Sequence, residues 1–336
     1  MRIIKIVLGL LLLGQQSVAQ NPIKILTEKK GISLRGLSVP SGKVVWASGS
    51  KGTVVKSVNG GESFEWLQVK GFETRDFRAI HAWDDKEVLI VAIAAPAVIL
   101  KTMDGGISWN KVYENADTSM FLDAVKFKDN FKGTVIGDPI NDTIFLLNTE
   151  DRGNHWNKVK PSFWKSKVFE GEAFFASSNS NLAYLNDKII FISGGMKSRL
   201  WIEGNAMPLL MMEGGKSTGA NSIDISPDQH KMIVVGGDFM KDTVTFDVAR
   251  AFNKNGNQFQ VNTAFTMPNG YRSSVKFIDN NLVVACGTSG VDTTNDAGKK
   301  WTLFSTQSFH VVQHQPNKKA AFFAGSGGRI GYYRFE

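Results

Sequence analysis

Thr102-Met103-Asp104-Gly105-Gly106-Ile107-Ser108-Trp109 sets a hydroxyl, a carboxylate two residues on, a glycine pair and an aromatic ring within one short stretch. Such a stretch turns tightly. The short Asp side chain accepts hydrogen bonds from the N–H groups that follow it, glycine takes the positive φ of the turn, and the ring anchors the outgoing strand. Three further segments repeat the pattern: Ser57-Val58-Asn59-Gly60-Gly61-Glu62-Ser63-Phe64, Thr149-Glu150-Asp151-Arg152-Gly153-Asn154-His155-Trp156 and Thr294-Asn295-Asp296-Ala297-Gly298-Lys299-Lys300-Trp301. The anchors Asn59, Asp104, Asp151 and Asp296 lie 45, 47 and 145 residues apart. The last gap is three periods of about 48, so the chain is an array of equal units in which two lack the turn.

A second periodic signal fills the gap. Apolar runs ending in a small residue recur seven times: Val44 to Gly49, Leu89 to Ala94, Val135 to Gly137, Ile189 to Gly194, Ile233 to Gly236, Leu282 to Gly287 and Ala321 to Gly325. Short β-rich runs bounded by glycine read as buried strands. The fold predicted is all-β: a seven-bladed β-propeller in which the turns are structural hairpins. The sequence runs only about three strands into the seventh repeat, so Ile23 to Leu26 is expected to supply the outer strand of the seventh blade and close the ring. Residues 20–336 are then expected to form one domain.

Composition fits many short strands, with 33 Gly, 8 Trp, 23 Phe and 42% hydrophobic residues. Arg2 and Lys5, the apolar run Ile6 to Leu13 and the small residues Ser17-Val18-Ala19 read as a signal peptide over 1–19, which predicts an exported, periplasmic or secreted chain with no membrane span after cleavage. The lone Cys286, inside an apolar strand, is expected to be a buried thiol. Beyond Arg2 and Lys5, 37 basic residues face 31 acidic ones. In an exported protein that mild excess favours acidic peptides, anionic glycans or membrane surfaces over nucleic acid.

Two glycine-rich segments lack the chemistry they suggest. Gly214-Gly215-Lys216-Ser217 has Leu210 where a phosphate loop needs glycine, and Gly325 to Gly331 has Ile330 where a dinucleotide fingerprint needs its third glycine. No cofactor is predicted. His310 and His314 would lie about 13 Å apart on one strand face, too far to share a metal ion.

One constellation remains. Aligning the innermost strands by their period-two alternation places a polar residue at each strand start: Arg35, Arg78, Asp123, Glu172, Asn221, Ser273 and His310, with Arg272 beside them. These should form a collar around the channel mouth, on the face opposite the turns. Cations on blades seven, one and two face anions on three and four, a dipolar mouth suited to a carboxylate or peptide. The segment Trp156 to Lys167, which interleaves four lysines with three aromatic residues, is expected to lead toward this collar as a partner-contact loop. Leu209-Leu210-Met211-Met212 is expected to be the outer strand of blade four.

The turns resemble Asp-box, or BNR, repeats. With Trp46-Ala47-Ser48-Gly49 leading into Ser57 to Gly61, and Cys286-Gly287-Thr288-Ser289-Gly290 leading into Asp296 to Trp301, nearly the whole mature chain is similar to the photosystem II stability/assembly factor-like branch of these propellers. That resemblance implies a non-enzymatic, monomeric binding or assembly factor with a protein or peptide partner in the cell envelope. Asp-box propellers also include sialidases. By analogy with them, Arg35, Arg78 and Arg272 would hold a substrate carboxylate, Tyr271 with Glu172 would supply the nucleophile and Asp123 the acid/base. The aromatic-Arg-Ile-Pro segment of that family is absent, since Arg78 is followed by Ala79-Ile80 and Arg272 by Ser273-Ser274.

Overall fold

Four of the repeats build separate four-stranded antiparallel sheets from consecutive strands, two share a larger sheet, and the seventh borrows a strand from the other end of the chain. A computed structural model describes residues 21–256, 258–262 and 266–336, so the stretch 1–19, expected to be a signal peptide, lies outside the described residues. Blade 1 comprises Leu34–Ser38, Val45–Gly49, Thr53–Ser57 and Glu65–Gln68; blade 2 comprises Phe77–Ala82, Val88–Ala92, Ala97–Thr102 and Asn110–Asn115. Blade 3 comprises Leu122–Phe127, Gly133–Ile140, Thr143–Thr149 and Asn157–Lys158, and blade 6 Ser274–Phe277, Val283–Gly287, Gly290–Thr294 and Thr302–Ser305. In blade 7, Val311–His314, Ala320–Ala324 and Ile330–Arg334 are completed by Lys24–Thr27, with Lys24 opposite Tyr332. This is the expected closure, and it removes the open edge a strand donor would otherwise seek.

Blades 4 and 5 depart from the pattern. Blade 5 comprises Thr218–Ile225, Lys231–Asp238, Ala249–Asn255 and Gln258–Asn262. Blade 4 has a split inner strand, Glu172–Ala173 and Leu182–Leu185, beside Lys188–Gly195, Arg199–Ile202 and Asn205–Pro208. The two blades join in one sheet where Gly194 pairs with Gly219. A Cβ on Gly219 would lie 2.6 Å from the Gly194 Cα, so only glycine allows this approach. Leu209 to Met212 follow the outer strand rather than form it: Leu209 and Met211 turn into the core while Leu210 is exposed. Among the described residues, no helix is long and apolar enough to cross a membrane.

The four turns fall between the third and fourth strands of blades 1, 2, 3 and 6 and behave as capping devices. Asp104 Oδ1 accepts from the amides of Ile107 (3.1 Å) and Ser108 (3.0 Å), and Thr102 Oγ1 accepts from the Gly106 amide at 3.0 Å. Hydrogen bonds from the Ser108 hydroxyl and amide hold the Asp104 carboxyl down at about 2. Asp296 repeats the bonds with Lys299 and Lys300, Asp151 with Asn154 and His155, and Asn59 with Ser63. The core runs around the ring as apolar clusters shared between neighbouring blades, and Cys286 is buried in the cluster between blades 6 and 7.

Candidate functional site

The collar positions owe their geometry to one recurring backbone irregularity. Arg35, Arg78, Asp123 and Asn221 each sit where the inner strand slips by one residue against its partner, in blades 1, 2, 3 and 5. A bulge leaves its extra residue outside the ladder and re-aims its side chain. Ser273 and His310 occupy the equivalent place in blades 6 and 7, donating their amides to the Cys286 and Ala324 carbonyls that also face Ser274 and Val311.

Beneath this ring the channel is closed. Between the two halves of blade 4's inner strand, Phe174 to Asn181 leaves the sheet and crosses the axis. Ser177 O accepts from Arg35 of blade 1, Asn179 bonds Ile80 O of blade 2 (2.9 Å) and the Val125 amide of blade 3 (2.8 Å), Ser180 accepts from the Ile223 amide of blade 5, and Ser178 donates to Ser273 O of blade 6 (2.6 Å). Small hydroxyl and amide side chains suit this place: Asn179 and Ser178 satisfy inner-edge backbone groups of blades 2, 3 and 6, while the segment's own carbonyls take donors from blades 1 and 5. What remains above the plug is a blind cup of about 400 Å³.

Of the predicted collar, Arg35, Arg78, Ser273 and His310 line the cup. The Arg78 Nε donates to Asp76 Oδ2 at 2.8 Å. Arg35 is half-buried, and among the described residues it has no carboxylate within 4.0 Å; burial and the neighbouring Arg78 lower its pKa. His310, expected as a cation, is neutral: burial and then Arg35 and Arg78 push it down to about 3, and its Nε2 meets the Ser326 hydroxyl at 2.9 Å.

The other predicted residues go elsewhere. Asn221 is buried beneath the cup, where its Oδ1 accepts from Ser177 (2.7 Å) and from Tyr271 (2.9 Å). Glu172 points into blade 4, paired with Arg199 (Nε to Oε1, 2.9 Å), because the split strand turns it inward. Arg272 is fully buried in blade 6 with Asp292 (Nε to Oδ2, 2.6 Å). Asp123 is fully buried, and burial followed by the nearby Asp138 raises its pKa well above the usual range. The acidic wall therefore belongs to Asp138, a residue the strand-start alignment missed because it lies at the far end of a second strand. Burial lifts it to about 6, and its Oδ1 accepts from the Phe174 amide. The three arginines of the sialidase-like casting do not converge, and Tyr271, buried and bonded to Asn221, is pushed up to about 12.

The aromatic half of the cup was also invisible in the alignment. Phe121, Phe174, Phe175, Phe239 and Tyr271 form it, with Phe239 packed edge-on to Phe175 at 5.8 Å and to Tyr271 at 6.2 Å. Past Phe239 the apolar surface continues over the rim of blades 4 and 5, where Phe169, Met196, Leu210, Met240 and Phe246 are exposed on loops of the mouth face. The segment Trp156 to Lys167 is not part of this rim. Lys165 and Ser166 bond Gly204 O at the far turn of blade 4, and Trp164 packs edge-on against Phe191 and Trp201, so these residues seal the outside of that blade.

No family model matches the chain, and no curated protein matches it in sequence. Solved structures do match in shape. A structure of YCF48 bound to a D1 peptide is similar with a TM-score of 0.64 at 16% identity, covering 94% of this chain and 98% of that one. YCF48 from Cyanidioschyzon merolae gives 0.63 at 15% identity over 93% of this chain and 99% of that one. The WD40 propeller domain of Doa1 gives 0.60 at 12%, over 94% and 98%. These similarities agree with the seven-bladed propeller read from the strand order.

Proposed function

We propose that this chain is an exported peptide-binding propeller that takes an anionic group of a partner polypeptide into the cup, as an assembly factor of the photosystem II stability/assembly factor-like kind. The observation that carries the reading is the Arg35 guanidinium, held half-buried in a blind cup beside a second arginine and, among the described residues, without a carboxylate within 4.0 Å. A ligand carboxylate would relieve the repulsion between Arg35 and Arg78 and form charge-assisted, bidentate bonds that a lysine could not reproduce. The aromatic wall and the exposed apolar rim suit a polypeptide better than a free sugar acid. The peptide-bound YCF48 structure supports the same reading.

The test is anisotropy titration of a panel of fluorescein-labelled peptides in acidic and amidated forms. The acidic forms should bind more tightly, Arg78→Lys should weaken them, and Arg35→Ala/Arg78→Ala should abolish the preference. Unchanged affinity in the folded double variant would return the cup to a closed channel end. Export is tested by sequencing the N-terminus of the mature chain, which should begin at Gln20; a chain retaining Met1 in the cytoplasm would refute it.

A further inference from the structure

Besides capping hairpins, the turns roof the seams between blades. Gly61 of blade 1 lies against Leu26 and Phe322 of blade 7, Gly106 of blade 2 against Leu67 and Trp46 of blade 1, and Gly298 of blade 6 against Ile233 and Ala251 of blade 5. The aromatic residue after each turn packs into the same seam, as Trp109 does between blades 1 and 2 and Trp301 between 5 and 6. A lysine of the preceding blade can complete the roof: Lys56 Nζ donates to Gly105 O at 2.8 Å, and Lys101 Nζ to Arg152 O at 2.9 Å.

The register shows what blades 4 and 5 have in place of the turn. Ser57, Thr102, Thr149 and Thr294, whose hydroxyls tie the turn, pair with Val45, Val88, Gly133 and Val283. These partners stand four residues before Gly49, Ala92, Gly137 and Gly287 in turn. At the same place in blades 4 and 5, Ile190 and Met232 pair with Ile202 and Phe252. The hydroxyl has become a large apolar side chain, and in blade 5, whose hairpin pairs Asn255 with Gln258, a Cβ on Gly256 would meet nothing within 4 Å, so this glycine does not pack on the preceding blade as Gly106 and Gly298 do.

Among the described residues, the seam between blades 4 and 5 is an open groove of about 660 Å³, with Leu200, Ile202 and Met207 on one wall and Phe252 and Phe259 on the other. Lys254 stands at its edge, and among the described residues it has no carboxylate within 4.0 Å. No lining residue is acidic; a second lysine, Lys188, is paired with Glu203 at 3.5 Å.

We propose that this groove docks a segment of a partner protein that presents one aromatic side chain beside a carboxylate. The partner would add to this seam, where Phe259 already packs, a further ring of the kind the turns supply to four other seams, with its carboxylate meeting Lys254. Burying the ring supplies the attraction, and the lysine selects an acidic neighbour. The site lies on the face opposite the cup, so it stands or falls independently of the peptide-binding reading.

The experiment follows the methionine methyl resonances of the protein, with Met207 assigned through Met207→Leu, on adding N-acetyl-tryptophan. The Met207 methyl should shift with a dissociation constant of about 1 mM, the range of a single buried ring with one charge contact. N-acetyl-tryptophan amide should bind several-fold more weakly, Lys254→Glu should remove that difference, and Arg35→Ala/Arg78→Ala should leave the titration unchanged. Absence of a Met207 shift, or equal binding of acid and amide, would overturn the proposal. So would dodecanoate binding the same groove a hundredfold more tightly, since the occupant would then be a free amphiphile.

Discussion

Asn179→Ala tests whether the plug is a structural keystone. The Asn179 side chain donates to Ile80 O at 2.9 Å and accepts from the Val125 amide at 2.8 Å, and the residue is buried. Truncation to Ala strands a donor on blade 3 and an acceptor on blade 2 in a place closed to bulk water. Each orphaned buried group costs about 1–3 kcal/mol, so the variant should lose about 2–6 kcal/mol. Asn179 also holds φ at 57°, a conformation Asn tolerates better than Ala, which adds to the loss. Urea denaturation at equilibrium measures the total, and hydrogen exchange at the Val125 amide localises it. A change below about 0.5 kcal/mol, the scale of an ordinary surface substitution, would mean that the segment merely fills space, and the account of the closed channel would fail.

Three further outcomes follow from the same structure. Asp296→Ala removes the caps on the Lys299 and Lys300 amides and should lower stability by about 0.5–2 kcal/mol while leaving peptide binding intact; loss of binding without a change in melting would show that the turn is functional. Asp138, lifted to about 6 by burial, binds its proton more tightly folded than unfolded, so the stability it contributes at acid pH is lost as pH rises from about 4 to 6. Asp138→Asn should therefore gain on the wild type across that window, by about 2 kcal/mol after allowing for its partial exposure, and a flat difference between the two melting curves would refute the assignment. Peptide binding should show no step near pH 6.5 from His310, because that ring is already neutral there; a step removed by His310→Gln would contradict its placement.

The repeat determined the architecture without help from anything distant. Turn residues such as Asp104 and Gly106, and apolar runs such as Val283 to Gly287, act through bonds a few residues apart, so their spacing alone yields seven blades, and the short last unit yields the closure by Lys24–Thr27. Strand alternation also found four of the eight collar residues, Arg35, Arg78, Ser273 and His310, that line the cup, because a bulge at the same position in several blades preserves a fixed offset from the apolar run. What alternation cannot carry is where a long side chain goes once it leaves the backbone. Glu172 and Arg272 found partners inside their own blades, in Arg199 and Asp292, at separations the local pattern does not encode. The charge state of His310 and Asp123 depends on burial, which exists only after the plug from blade 4 has crossed the axis. The closed channel, the acidic Asp138, the aromatic wall and the unroofed seam all come from contacts between blades, and only the tertiary structure decides those.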